Sequence, residues 1–440
     1  MKLRYLFFIF FSLQGIGSIA AQVVYSLNDC ISTGLDRNYS IRIARNNESK
    51  SENNYSPGNA GYLPSLDLTG RYNGSYNNIT SNLTSGENTV SNGVHNTTGS
   101  ASVALNWTIF NGFNVTTTYK KLNELKMLGE FNTRLSVESY VSSLISAYYS
   151  FIQQEQLVNN QEYAVRLSRE RLRIDQERYQ LGSSSKLQVL QSRVYLNSDS
   201  SNLSRQIESL RATQIQMNEL MAVEDLGQEF NLLDTSIFVK ADLLYEKLLE
   251  DTKAANTSLR IAEENKVISG YDYKIVVSRV YPYLNLSTGY GYTYNTYSAT
   301  STKNQATLGM NYGLTLGFNI FDGFNSRREI RNSALDVQNM ELKYSEVENS
   351  VIADLITIYN GYSNNLQLMK LEEQNLETAS ENFSIAMERY RLGELSGLDL
   401  RDVQKGLLDA RESLFTVKYR AKLAEISLML ISGHIMDYYN

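Results

Sequence analysis

The sequence predicts an α+β membrane protein in which alternating β-strands adjoin very long coiled-coil helices. Three observations lead to this fold class. The 440-residue chain contains an internal duplication, its strands have one apolar and one polar face, and its helical segments carry an apolar residue at every seventh position. The low count of 3 Pro suits long helices, because Pro in a helix interior costs about 3 kcal/mol.

The N-terminus predicts that the chain is exported. Residues 1–4 include two basic side chains, residues 5–13 form an apolar run and residues 18–21 offer small residues for cleavage. This pattern is typical of a secretory signal peptide, here residues 1–21, since the run is well short of the roughly 20 residues of a membrane-spanning helix. Cys30, the only cysteine, cannot form an internal disulfide, and the formal net charge of -6 argues against a nucleic-acid partner.

The duplication is visible in two pairs of matching segments. NYSIRIA at 38–44 matches NTSLRIA at 256–262 with an offset of 218, and WTIFNGFN at 107–114 matches FNIFDGFN at 318–325 with an offset of 211. The first copy therefore carries seven extra residues, which fall in a polar stretch between about 75 and 100. We expect an exposed loop there, because loops tolerate insertions.

The duplication also sets the expected domain organisation. Repeat 1 spans 22–226, a linker spans 227–240, repeat 2 spans 241–433 and a tail spans 434–440. In repeat 1 we expect a helix at 27–55, strands at 64–79 and 98–110, a long helix at 115–181 and a return helix at 186–221. In repeat 2 the corresponding elements are a helix at 241–275, strands at 282–295 and 305–321, a long helix at 326–392 and a return helix at 397–431.

The strands alternate between apolar residues and Gly, Asn, Ser or Thr, which indicates two chemically different faces. A soluble sandwich is one interpretation. A membrane β-barrel is favoured, because the strands are about 10 residues or longer and their apolar faces carry aromatic residues typical of a membrane interface. These aromatic residues are Tyr72, Tyr76, Trp107, Tyr290, Tyr292, Tyr294 and Tyr312. Four strands cannot close a barrel, which needs about eight, so the barrel must be shared between chains.

The long helices predict coiled-coil packing. Leu144, Phe151 and Val158 begin a seven-residue apolar column in repeat 1, and Leu355 and Tyr362 begin its counterpart in repeat 2. A strict seven-residue spacing indicates helices that supercoil around each other. The second column of each helix is patchy and polar, which favours a hollow helical assembly over a solid bundle.

Two similar segments, ERYQLGSSSKLQV at 177–189 and ERYRLGELSGLDL at 388–400, lie where each long helix meets its return helix. With the strand exits IFNGF at 109–113 and IFDGF at 320–324, they carry a resemblance over nearly all of the mature chain. The chain resembles the TolC family of outer-membrane efflux proteins. This resemblance implies a homotrimer in which four strands per chain form a twelve-stranded β-barrel in outer-membrane lipid. Twelve helical strands then form a periplasmic tunnel, with residues 221–245 and the C-terminus in a belt around its middle.

The resemblance also implies a function. The chain would be a passive exit duct of a tripartite efflux or type I secretion system, in contact with a periplasmic adaptor protein and an inner-membrane transporter of the RND or ABC type. The tips would contact the adaptor through five residues: Tyr179, Leu181, Gly182, Leu392 and Gly393.

The family's tunnel narrows at acidic residues on the second return helix, which implies a pore constriction at Asp399 and Asp402, with Tyr390 nearby. The first-copy partners of the two acids are Gln188 and Gln191, so only the second copy is acidic. Carboxylates three residues apart share a helix face, and an oligomer would make them a charged ring. The alternative is that they only favour the helix dipole.

The ionic lock of the family's closed state pairs a tip Arg with an Asp of the other copy. Those positions are Leu395 and Gln188 here, so we expect a different or weaker closed state.

Enzymatic chemistry is not expected. The sequence has no nucleotide-binding loop and no His/Cys cluster, so no cofactor or metal site is predicted. Two non-enzymatic alternatives remain: a structural or adhesive trimeric coiled-coil surface protein, and a soluble periplasmic helical adaptor. The first should have a long passenger domain and one hairpin per chain, and the second should lack alternating strands.

Overall fold

The computed structural model describes residues 23–439, so the predicted signal peptide at 1–21 lies outside the described residues. The helices are α1 (Leu27–Arg37), α2 (Tyr39–Asn54), α3 (Pro57–Ala60), α4 (Asn114–Gln180), α5 (Lys186–Leu220), α6 (Tyr245–Ala255), α7 (Thr257–Ser278), α8 (Asn325–Leu392) and α9 (Gly397–Ile431), followed by a 3₁₀ turn (Ile435–Tyr438). The strands are β1 (Val23–Tyr25), β2 (Ser65–Asn82), β3 (Asn88–Asn111), β4 (Phe230–Leu232), β5 (Tyr283–Thr296) and β6 (Asn304–Gly317). Within the described residues, no helix is both long and apolar enough to cross a membrane.

An asparagine interrupts the helical segment at the start of each repeat. The expected helix at 27–55 is broken at Asn38, and the one at 241–275 is broken at its repeat partner Asn256. Each asparagine has extended backbone angles and caps the next helix, with Oδ1 of Asn256 accepting from the Leu259 N–H at 3.1 Å. Their Nδ2 groups donate to the carbonyls of Leu220 and Ile431, which tethers each break to the end of a return helix.

The larger sheet is antiparallel in the order β2-β3-β5-β6, and its register repeats with the sequence. Leu68 lies opposite Val103 in the first hairpin, and Leu286 lies opposite Leu314 in the second. These are corresponding positions of the duplication.

The exposed loop expected between about 75 and 100 is instead mostly strand. β2 continues to Asn82 and pairs there with Asn88, so the extra residues lengthen the hairpin. The physical reason is that pairing satisfies the backbone N–H and C=O groups of a stretch with alternating Asn, Ser and Thr. The turn at its end contains Gly86 with φ 88°.

α4 and α8 are the longest elements, with 67 and 68 residues, or about 100 Å each at 1.5 Å per residue. α5 packs along α4 and α9 packs along α8 to form two helical hairpins, while α7 lies against both α4 and α8. One apolar cluster lies where β1 pairs with β4, and a second lies near the hairpin ends. The first includes Leu144, Tyr148, Phe151, Met217 and Phe230. The second includes Ile174, Phe383, Met387, Leu400 and Leu407.

Candidate functional site at the helical tips

Each hairpin turns at a glycine with a left-handed backbone. Gly182 has φ 76° and Gly393 has φ 87°, a conformation that costs other residues about 1–2 kcal/mol. In both turns the residue after the glycine donates its N–H to a carbonyl five residues earlier, Ser183 to Arg178 at 2.8 Å and Glu394 to Arg389 at 2.9 Å. This is the hydrogen-bond pattern of a Schellman C-cap, and it explains why RYxLG occurs at both tips.

The residues before the glycines form an exposed apolar surface. Leu181 is 82% exposed and Leu392 is 73% exposed, and Tyr179 is also exposed. The two tips lie side by side, because Nη2 of Arg178 donates to the carbonyl of Tyr390. All five residues predicted to form the tips therefore lie at one end of the molecule, three of them as exposed apolar side chains.

Asp399 and Asp402 lie in the first two turns of α9 with exposed side chains. Asp399 also takes part in the cap of that helix: its N–H donates to Ser396 Oγ at 3.1 Å, and its Oδ2 accepts from the same hydroxyl at 2.7 Å. Gln188 has the same place in α5, where its N–H donates to Ser185 Oγ at 3.3 Å. The two caps thus match. The repeats differ in charge, because Gln188 and Gln191 are neutral where Asp399 and Asp402 are acidic.

Tyr390 does not share that exposed face. Its side chain is fully buried between the hairpins, and its phenol donates a hydrogen bond to Asp175 on α4. The guanidinium of Arg178 lies 4.9 Å from the centre of its ring, within cation–π range. Burial, and then the bond to Asp175, raises the pKa of Tyr390 to about 12.

Asp175 is the centre of a buried polar cluster that connects three helices. It is fully buried and accepts hydrogen bonds from Tyr390 on α8 and from Ser192 on α5. Nε of Arg171 lies 3.9 Å from Asp175 Oδ2, and among the described residues Nε and Nη1 of Arg171 have no hydrogen-bond partner. A buried carboxylate is stable only when it is paired in this way.

A second buried carboxylate, Asp199 on α5, lies farther from the tips. Arg401 on α9 donates to both of its oxygens at 2.7 Å, and Ser168 on α4 also donates to it. The ring of Tyr195 lies between the guanidinium groups of Arg171 and Arg401, at 4.9 and 5.0 Å. The two clusters therefore join the first hairpin to both helices of the second.

The sequence carries a signal for these clusters in the polar second column of the helices. The seven-residue apolar column continues as Val165 and Leu172 in α4 and as Val189 and Leu196 in α5. Three residues after each of these lies a member of the second column, in order Ser168, Asp175, Ser192 and Asp199. The polar second column indicated a hollow assembly, but at these positions it is buried and pairs within one chain.

The aromatic residues predicted for a membrane interface lie on one face of the sheet. Val103 lies opposite Tyr290, and Trp107 lies opposite Leu286, so the apolar faces of neighbouring strands coincide. Trp107 donates its Nε1–H to the carbonyl of Tyr62 at 2.9 Å. The seven predicted residues, Tyr72, Tyr76, Trp107, Tyr290, Tyr292, Tyr294 and Tyr312, all have exposed side chains.

Comparison with known proteins decides the family. The model of the outer membrane efflux protein family matches residues 30–223 and 248–434, which together make up most of the chain. The chain belongs to this family. Family members are channels rather than enzymes, so the chain is an outer-membrane channel whose helices project into the periplasm, and it serves as the exit duct of an efflux system. The adhesive surface protein is not supported.

Solved structures of outer-membrane proteins have the same fold. The outer membrane protein VceC of Vibrio cholerae is 16% identical with a TM-score of 0.71, over 92% of this chain and 96% of that one. The CmeC outer membrane channel of Campylobacter jejuni is 16% identical with a TM-score of 0.72, over 93% and 86%. The MtrE outer membrane channel of Neisseria gonorrhoeae, solved in an open state, is 15% identical with a TM-score of 0.71, over 93% and 89%.

Proposed function

We propose that three copies of this chain form one efflux duct, with four strands from each copy in a twelve-stranded barrel. Channels of this family are homotrimeric and work with adaptors and inner-membrane pumps. The observation that carries the proposal is the four-stranded sheet with one apolar face, in which β2 and β6 are edge strands. An open edge in lipid leaves backbone groups unpaired at several kcal/mol each, and closure between copies removes both edges.

The aromatic face would then contact outer-membrane lipid, and the polar face would line a watery lumen. Residues 221–245 and the C-terminal tail at 434–440 would form a belt around the middle of the helical tunnel. The apolar cluster around β1 and β4 supports this placement, because it lies between the sheet and the tips along α4.

The tips would contact a periplasmic adaptor, and an inner-membrane transporter of the RND or ABC type would supply the energy. Leu181 and Leu392 support this part of the proposal, because two large apolar side chains exposed side by side are typical of a contact surface. No cofactor or nucleic acid takes part.

The pore would be narrowest at Asp399 and Asp402, where a trimer brings six carboxylates into one ring. Such a ring selects and binds cations. The closed arrangement would be held by Asp175 with Tyr390 and by Asp199 with Arg401, in place of the ionic lock that Leu395 and Gln188 cannot form.

Native mass spectrometry tests the assembly. Protein extracted from outer membranes in mild detergent should have three times the mass of the mature chain. A monomer, or protein recovered in the soluble periplasmic fraction, would overturn the proposal.

A further inference from the structure

We propose that the two sheet edges pair between neighbouring subunits in one defined register, with Leu314 of one subunit opposite Tyr72 of the next. The proposal rests on the homo-oligomer proposed above and adds which residues meet. It follows from the internal duplication. In a ring of duplicated chains, the contact between the two halves of one chain has the same form as the contact between one chain and the next.

The repeat offsets preserve strand register. In the first hairpin Leu68 lies opposite Val103. An offset of 218 applied to β2 and one of 211 applied to β3 give Leu286 and Leu314, which lie opposite each other in the second hairpin. The same operation converts Leu66 and Leu105 into the observed pair Leu284 and Leu316. The offsets found in the sequence therefore describe equivalent positions in space.

The pairing of β3 with β5 joins repeat 1 to repeat 2 and is the internal copy of the contact between subunits. In it, Val103 lies opposite Tyr290. Adding 211 to a β3 position gives the equivalent β6 position, and subtracting 218 from a β5 position gives the equivalent β2 position. This operation places Leu314 opposite Tyr72 of the neighbouring subunit. In the same way Gly99 opposite Tyr294 becomes Met310 opposite Tyr76 of the neighbouring subunit.

The chemistry of the two faces supports this register independently. Leu314 and Tyr72 both belong to the apolar face, and Met310 and Tyr76 do too. A slip by one residue would place Leu314 opposite Arg71 or Asn73, which face the other side of the sheet. Such a slip exchanges the lipid and lumen faces of a whole strand, so it is strongly disfavoured.

The helices give a second, separate indication. α7 contacts both α4 and α8, and Asn114 with Ser278 and Glu138 with Thr257 are two of its side-chain hydrogen bonds to α4. Phe131 lies between these two contact points on α4, and Ile261 lies at the matching position of the antiparallel helix α7. Both side chains are partly buried.

The repeat partners of Phe131 and Ile261 are Leu342 on α8 and Ile43 on α2. They are apolar yet 69% and 59% exposed in the single chain. The inferred interface brings α2 of one subunit against α8 of the next and covers both side chains. Two apolar side chains that are exposed in one chain and covered by the next are what we expect at an interface between copies of the chain.

Paired cysteine substitutions test the register. Opposite residues of antiparallel strands have Cβ atoms about 4.5–5.5 Å apart, whereas an error of four residues separates them by about 14 Å. The matched variants are Leu314→Cys with Tyr72→Cys, and Met310→Cys with Tyr76→Cys. The swapped variants, Leu314→Cys with Tyr76→Cys and Met310→Cys with Tyr72→Cys, contain the same four substitutions and so control for expression and folding.

After treatment in outer membranes with copper phenanthroline or a short bis-methanethiosulfonate reagent, the matched variants should give reducible covalent oligomers at least tenfold more than the swapped ones. The parent protein, whose single Cys30 is buried, is the background. Equal or stronger cross-linking of the swapped variants would overturn the register, and so would the absence of cross-links in variants that native mass spectrometry shows to be oligomeric. A monomeric parent protein would instead overturn the proposed assembly as well.

Discussion

Tyr390 near the end of α8 donates a hydrogen bond to the buried carboxylate of Asp175 on α4. Together with the bond from Arg178 to the carbonyl of Tyr390, it joins the second hairpin to the first at the tips, next to the glycine turns. The family's lock has no counterpart at Leu395 and Gln188, and this bond provides a link of different chemistry between the same two hairpins.

Tyr390→Phe should loosen the tips. A hydrogen bond to a buried charged group contributes about 1.5–3 kcal/mol, so its loss should shift a closed–open equilibrium toward the open state by roughly tenfold or more. Single-channel recording would show this as a higher open probability. Tyr179→Phe is the matched control, because Tyr179 is the repeat partner of Tyr390 and is exposed. Equal effects of the two substitutions would argue against the link.

The Tyr390 link should be insensitive to pH over the ordinary range. Its pKa is raised from 10.0 to about 12, first by burial, so the bond is fully present below about pH 10 and is lost as the pH rises through about 12. The difference in unfolding free energy between the wild type and Tyr390→Phe should be constant from about pH 6 to 9 and shrink above pH 10. A difference that already falls between pH 6 and 9 would contradict this assignment.

Arg401→Gln should destabilise the chain by about 3 kcal/mol or more, because it leaves Asp199 buried without its cationic partner. The double variant Arg401→Gln with Asp199→Asn should recover much of that loss, since no buried charge remains. Urea unfolding of both variants in detergent measures the two values. If the double variant were no more stable than Arg401→Gln alone, the loss could not be assigned to an unpaired buried carboxylate at Asp199.

Asp399→Ala with Asp402→Ala should weaken block of the channel by divalent and trivalent cations by at least tenfold, because the proposed ring loses its carboxylates. Planar-bilayer conductance with and without the cations measures this block. Asp409→Ala is the control, since Asp409 is an exposed acid farther along α9. If the double variant kept the wild-type block, the constriction would have to lie elsewhere.

Gly182→Ala with Gly393→Ala should weaken adaptor binding and export. Added Cβ atoms meet little at either site, so the cost is conformational, about 1 kcal/mol or more at each left-handed position. Gly406→Ala controls for the substitution itself, because Gly406 is inside α9 with open space around its Cβ. If export at equal expression stayed undiminished, adaptor contact would not depend on the left-handed glycine turns.

The sequence predicted those features that depend on local pattern. The alternation of β5 and β6, the glycine turns and the duplication were visible, because period-two and period-seven spacing and left-handed glycines are properties of adjacent residues. Membership of the efflux protein family followed from the order of these motifs.

Features that depend on distant contacts were missed. Asn38 and Asn256 lie within helical patterns, and their tethers to Leu220 and Ile431 come from far along the chain. A polar second column is compatible with two arrangements: side chains that line a water-filled lumen, or side chains that form a buried hydrogen-bond network. Only the packing of α4 against α5 and α9 shows that Asp175 and Asp199 are buried and paired.

We propose that this chain conducts across the outer membrane as a passive duct. The most direct test is the conductance of purified, oligomeric wild-type protein in a planar lipid bilayer. We expect discrete conductance steps that need no nucleotide and no partner protein, with cations preferred over anions. Bilayers that contain inserted protein and remain electrically silent, even with Tyr390→Phe, would contradict it.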